Sequence, residues 1–170
     1  MEPWQRLDLA STDEARALLL TCCGSARWAD AMIERRPFGG RDALMAAARE
    51  ASMTLTADDW KEAFSHHPRI GERNMRQDRF ASTRHLAEKE QAGVAGAPGD
   101  VIDALAEVNR RYEATFGYVC IICATGRTAA EMLAIARARL EHDPATEIRV
   151  AAAEQAQITA LRLDGLGART

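Results

Sequence analysis

The residues best equipped for chemistry lie in two short segments, His66-His67-Pro68-Arg69-Ile70-Gly71 and Glu88-Lys89-Glu90-Gln91. A histidine placed where a helix stops feels the negative end of the macrodipole, which favours the imidazolium form. Proline beside it stiffens the backbone, and Gly71 lets the chain turn back sharply. Those conditions suit an acid–base group working near neutral pH. A polar histidine closing an ordinary helix accounts for the same spacing. In the second segment, Glu90 falls one turn past Leu86 on a helix, so it points towards the packed side while Glu88 points elsewhere. An inward carboxylate is costly unless hydrogen-bonded or functional. A solvated charged face is the alternative for the run as a whole, and neither segment alone identifies an enzyme.

The four cysteines, Cys22, Cys23, Cys120 and Cys123, do not form a disulfide framework by pattern. Two are adjacent, and a chain of 170 residues can fold without bridges, so buried thiols are expected. Cys120-Ile121-Ile122-Cys123 is a CxxC, but no repeated strand–helix–strand pattern surrounds it and no second CxxC offers a zinc site.

Composition narrows the partners. The net charge of −3 and pI near 5.8 leave no basic footprint for nucleic acid or anionic lipid. A small molecule or a second copy of the chain is the expected partner. No apolar run is long enough to span a membrane, and MEPWQRLDLA lacks the layout of a signal peptide. The C-terminus carries no peroxisomal tripeptide, which leaves the cytoplasm as the expected location.

The elements that must position these residues are written in helical punctuation. Ser11-Thr12-Asp13-Glu14 has capping-box spacing and opens a helix to about Cys22. Ser25 caps a helix carrying Trp28 and Met32 that ends before Pro37, and Pro37-Phe38-Gly39-Gly40 is a turn. Asp42 caps the next helix, with Leu44, Met45 and Ala48 inside. Thr56, with Asp59 three residues on, opens a short helix that stops near Ser65-His66 because Pro68 follows. Ser82 or Thr83 starts another, to about Gln91. From Asp100, the spacing of Val101, Leu105, Val108, Tyr112 and Phe116 predicts a long amphipathic helix, interrupted at Gly117. Tyr118 to Cys123 has strand-like composition and no evident strand partner. Thr128-Ala129-Ala130-Glu131 is a second capping box, opening a helix to about His142, and a last helix runs from Thr146 to about Leu163. The sum is an all-α, single-domain bundle (residues 1–170) of roughly seven to nine helices with short loops.

Ordered landmarks run through most of the chain: Pro37-Phe38, His67-Pro68 with Gly71, Glu90-Gln91, Asn109-x-x-Tyr112-x-x-x-Phe116-Gly117-Tyr118, and Arg162-Leu163. The set resembles the 2-oxo-4-hydroxy-4-carboxy-5-ureidoimidazoline (OHCU) decarboxylase family, which forms (S)-allantoin in the last step of urate degradation. The resemblance implies an all-helical enzyme that needs no metal or organic cofactor, takes a small-molecule substrate and is commonly a homodimer. It makes His67 the catalytic acid–base residue, Pro68 its neighbour in the pocket, and Glu90 a second catalytic group. Ala87, Glu90 and Gln91 fall on a family pattern of substrate contacts. Cys120, Ile121, Ile122, Cys123 and Ala124 fall where the family's backbone holds substrate, which would explain a strand-like run without a sheet. Arg162 matches a late arginine that either contacts ligand or braces the fold.

Three positions depart from that pattern. Ala87 replaces the usual serine, Val119-Cys120 stands where Pro-Phe is common, and Thr125 stands where an arginine often follows. These change the hydrogen-bonding groups available at those positions. Two other readings of the same residues are a metal-binding helical protein using His66, His67 and the cysteines, and a non-catalytic helical interaction module.

Overall fold

Reciprocal caps define where half of the helices begin. The computed structural model describes residues 1–70, 94 and 96–167, and among these the secondary structure is eight α-helices with no strand. They are α1 (Pro3–Leu9), α2 (Thr12–Cys22), α3 (Ala26–Glu34), α4 (Arg41–Met53), α5 (Ala57–Ser65), α6 (Gly99–Phe116), α7 (Ala129–Arg139) and α8 (Pro144–Gly165). The Ser11 hydroxyl accepts from Glu14 N–H while the Glu14 carboxylate accepts from Ser11 N–H, so two orphan donors are satisfied at once. Thr56 with Asp59 and Thr128 with Glu131 repeat the device, and Ser25 caps α3 through Trp28 N–H.

Four boundaries differ from expectation. The N-terminal α1 has no strong apolar period; a Glu2–Gln5 box and Pro3 in the first turn start it instead. Gly40, not Asp42, is the N-cap of α4, and Asp42 sits in its first turn, where a carboxylate suits the helix dipole. The helix expected to reach His142 stops at Arg139, and α8 starts at Pro144, two residues ahead of Thr146. Both follow from Asp143: its side chain accepts from Thr146 N–H at 2.9 Å, and Pro144 occupies the first helical position. The helix expected between Ser82 and Gln91 lies outside the described residues.

The chain divides into two compact units, Met1–Ala63 with the end of the chain from Gln155, and Phe64–Glu154. In the first, α2 packs on α3, α3 on α4, and α1 on both α2 and α4. Its core gathers Leu7, Leu19, Trp28, Met32, Leu44 and Leu163, all fully buried, and the Trp28 indole N–H donates to the Ala48 carbonyl. The expected turn at Pro37–Gly40 is held by Asp8, whose carboxylate accepts from Phe38 and Gly39 N–H.

In the second unit α6 packs against α7. The apolar face predicted for α6 places Leu105, Val108 and Tyr112 inside. Gly117 then takes φ +80°, a left-handed conformation that suits glycine, and its N–H closes the helix on Glu113 O at 2.8 Å. The chain leaves α6 as the run Tyr118–Ala124, buried except at the half-buried Val119 and in no helix or sheet. Phe64, Tyr112, Phe116 and Tyr118 stack around it, with Phe64 and Tyr118 ring centroids 5.1 Å apart.

Candidate active site

The sequence places His67 just past a helix end, and the fold does so. α5 stops at Ser65, and His67 N–H closes the last turn on Phe64 O at 3.0 Å. His67 and Pro68 are buried, His67 at 8% exposure, whereas His66 faces solvent. The adjoining residues are tied to α6. Asn109, 2% exposed, donates through Nδ2 to the Ile70 carbonyl at 2.8 Å, and Arg69 pairs in bidentate fashion with Glu113 at 2.5 and 3.0 Å. Such planar, two-bond pairing orients as well as attracts. His67 therefore sits on a short segment anchored at both ends.

A second braced segment is Cys120–Ala124, every residue of which is buried. The Arg139 guanidinium donates to Ile121 O at 2.6 Å and to Glu147 Oε1 at 2.5 and 2.8 Å. Tyr112 donates its hydroxyl to the same Glu147 oxygen and receives Arg139 Nη2 at 3.3 Å, while His142 Nδ1 lies 2.7 Å from Glu147 Oε2. Glu147 is fully buried and Arg139 only 4% exposed. A buried ion pair persists only if hydrogen bonds satisfy its remaining sites, and this one is so supplied. Burial, then the bond to Glu147, pushes the Tyr112 hydroxyl far above its ordinary range, keeping it a donor. Burial works against the Arg139 charge, but the hydrogen-bonded Glu147 carboxylate holds the guanidinium above its ordinary value. On the other side, Glu154 accepts from Cys123 N–H at 2.6 Å and from Arg127 at 3.0 Å.

The cysteines are buried thiols, none in a disulfide. Burial pushes the Cys23 thiol up to about 11 and Cys120 up to about 12, so neither is a ready nucleophile. Among the described residues no three His, Cys, Asp or Glu side chains gather as a metal-holding set. No helix among them is long and apolar enough to cross a membrane.

The second unit thus contains His67, Pro68 and Cys120–Ala124. Arg162 belongs to the first unit, where it is buried and its Nη1 donates at 3.2 Å to Thr21 O, one of the carbonyls that the end of α2 leaves without a helical partner. Bracing is therefore one of its roles. Gly71, Ala87, Glu90 and Gln91 lie outside the described residues. Sequence reasoning missed Arg139, Glu147 and Glu154, and treated Asn109 and Tyr112 as landmarks without a role.

Such a chain is an all-helical protein that holds a buried histidine and a non-helical backbone segment with charged braces. Its kinship is specific. The family model described as OHCU decarboxylase matches residues 8–164, and the chain belongs to that family of carboxy-lyases. It is 36% identical over 142 residues to the uric acid degradation bifunctional protein TTL of Arabidopsis thaliana, and spans 44% of that protein's length. It resembles a crystal structure of OHCU decarboxylase in the presence of (S)-allantoin, with 32% identity and a TM-score of 0.77, covering 94% of this chain and 100% of that one. A structure of (S)-allantoin synthase, 18% identical with a TM-score of 0.70, shares the fold over 96% of this chain and 53% of that one.

Proposed function

We propose that the chain decarboxylates OHCU to (S)-allantoin without a cofactor, with His67 as the acid–base residue. The observation that carries this reading is the likeness to OHCU decarboxylase along almost the whole chain. Loss of CO₂ leaves an electron pair that must be delocalised, a task for which many decarboxylases recruit a cofactor. Here the substrate ring has a conjugated C=N beside the reacting carbon and accepts the pair as an enediol-like intermediate. The protein then has to hold the carboxylate out of the ring plane and deliver one proton to one face.

His67 interacts with the substrate hydroxyl or carboxylate and mediates proton transfer, help worth about 10² to 10⁴ in rate. Its burial and its anchored segment support that role, since a catalytic group gains from a fixed geometry. Pro68 lines the pocket beside it. Glu90 and Gln91 bind the ureido and ring N–H groups and fix the face that is protonated, with Ala87 contributing no hydroxyl. Residues Cys120 to Ala124 offer backbone groups to the ring. Among the described residues, the Ile122 N–H and C=O take no protein partner, which supports a ligand-binding backbone there. The protein works as a cytoplasmic homodimer.

Freshly generated OHCU, followed by circular dichroism, tests the reading because spontaneous decay gives racemic allantoin. The expected outcome is faster decay with an (S)-allantoin signal that scales with protein. Decay at the spontaneous rate to racemate would overturn it. Glu90→Ala separates one part of the reading: an unchanged kcat/KM removes Glu90 from the site.

A further inference from the structure

Two carboxylates on α8 stand seven residues apart, which is two helical turns and hence one face. Both lead to the same backbone. Glu147 reaches the Ile121 carbonyl through Arg139, and Glu154 takes the Cys123 N–H directly at 2.6 Å. Bonds at Ile121 C=O, from Arg139, and at Cys123 N–H, to Glu154, thus flank Ile122 on both sides along the chain. The Ile122 N–H and C=O have no protein partner among the described residues. Donor and acceptor at one residue match the N–H and C=O of an amide edge, as strands use when they pair.

We propose that Glu154 is a positioning residue: by holding the Cys123 N–H it fixes the facing of residues 121–124, so that Ile122 presents its N–H and C=O to an amide-like edge of the substrate. The inference rests on the reading of Cys120–Ala124 as substrate backbone. Arg127 is the outer partner of the same carboxylate, more exposed at 30%, against 14% for Glu154. It neutralises Glu154 and does not touch the Cys123 amide. The two residues can therefore be separated by substitution. Glu154→Gln keeps an acceptor for Cys123 N–H, Glu154→Ala removes it, and Arg127→Ala leaves the Cys123 bond in place.

The experiment compares the three variants and wild type in the full-length chain, with OHCU decay for kinetics and amide hydrogen exchange at Cys123 as a readout independent of turnover. Glu154→Ala is expected to raise KM about tenfold, the scale of one charge-assisted hydrogen bond, with a much smaller change in kcat. Its Cys123 amide should exchange at least about tenfold faster. Glu154→Gln and Arg127→Ala should stay within about threefold of wild type in both readouts. Equal losses in Glu154→Ala and Arg127→Ala would make Glu154 only an ion-pair partner and overturn the proposal. So would faster exchange in Glu154→Ala with KM unchanged. If wild type itself fails to turn over OHCU, the decarboxylase reading falls first and takes the substrate half of this inference with it; the exchange data then show Glu154 as a brace alone.

Discussion

Replacing Arg139 by methionine is the most demanding test of how the second unit holds its non-helical segment. The change removes donors at 2.5, 2.6 and 2.8 Å and leaves the fully buried Glu147 carboxylate with only Tyr112 and His142. It also strips the Ile121 carbonyl of its bond. Removing one partner of a buried pair costs about 3–5 kcal/mol because the other charge stays buried. Against a total of about 5–15 kcal/mol this is a large loss. With a urea slope of about 2 kcal/mol/M, the unfolding midpoint followed by far-UV circular dichroism should fall by about 2 M. Adding Glu147→Leu removes the stranded charge, and the double variant should recover about 2 kcal/mol over Arg139→Met. A single-variant loss below about 1 kcal/mol, or a double variant no more stable than the single, would refute the reasoning.

Other consequences concern the thiols and the segment ends. Burial raises Cys23 and Cys120 above the ordinary value of 9.0, to about 11 and about 12. A raised folded pKa means that this stability is full below about pH 9 and is lost as pH climbs towards 11–12. The slope should be about 1.4 kcal/mol per pH unit for each thiol. Urea midpoints between pH 8 and 10.5 should fall accordingly, and less steeply in Cys23→Ala; equal slopes would contradict the assignment. Gly117→Ala should cost about 1 kcal/mol, since φ is +80° and a Cβ there meets nothing within 4 Å, leaving only the conformational penalty. A neutral result in urea unfolding would mean that the turn relaxes freely. Asn109→Leu should lower kcat more than thermal stability, because the Ile70 carbonyl loses its anchor and the segment carrying His67 loosens. Unaltered kcat would leave Asn109 with a packing role only.

Much of the fold is readable because its signals are local. The Ser11–Glu14, Thr56–Asp59 and Thr128–Glu131 pairs act within one turn, and Gly117 marks the end of α6 by its own conformation. The errors arise where two local signals compete. Asp42 suits a cap by type, yet it contributes from the first turn while Gly40 is the N-cap, and Asp143-Pro144 restarts the chain before the preceding apolar pattern runs out. The site divides the same way. His67 lies at a stop written by Pro68, so its burial at a helix end follows from neighbouring residues. Arg139 reads as an ordinary cation in a last turn, where the dipole favours one. Its burial depends on Tyr112, Ile121 and Glu147 meeting in three dimensions, up to 27 residues away along the chain. No spacing rule announces such a cluster. Glu154 is equally silent, because its partner is a backbone N–H 31 residues away.

The central claim is that this chain guides OHCU to one enantiomer of allantoin through His67. It is tested most directly by His67→Asn, which keeps a polar side chain of similar reach and removes the acid–base group. Wild type and variant would be compared at equal folded concentration, verified by far-UV circular dichroism, on freshly generated OHCU. The account predicts enantiopure (S)-allantoin from wild type, and from the variant a rate lowered at least about 10²-fold. Wild-type turnover by His67→Asn to optically pure (S)-allantoin would contradict it.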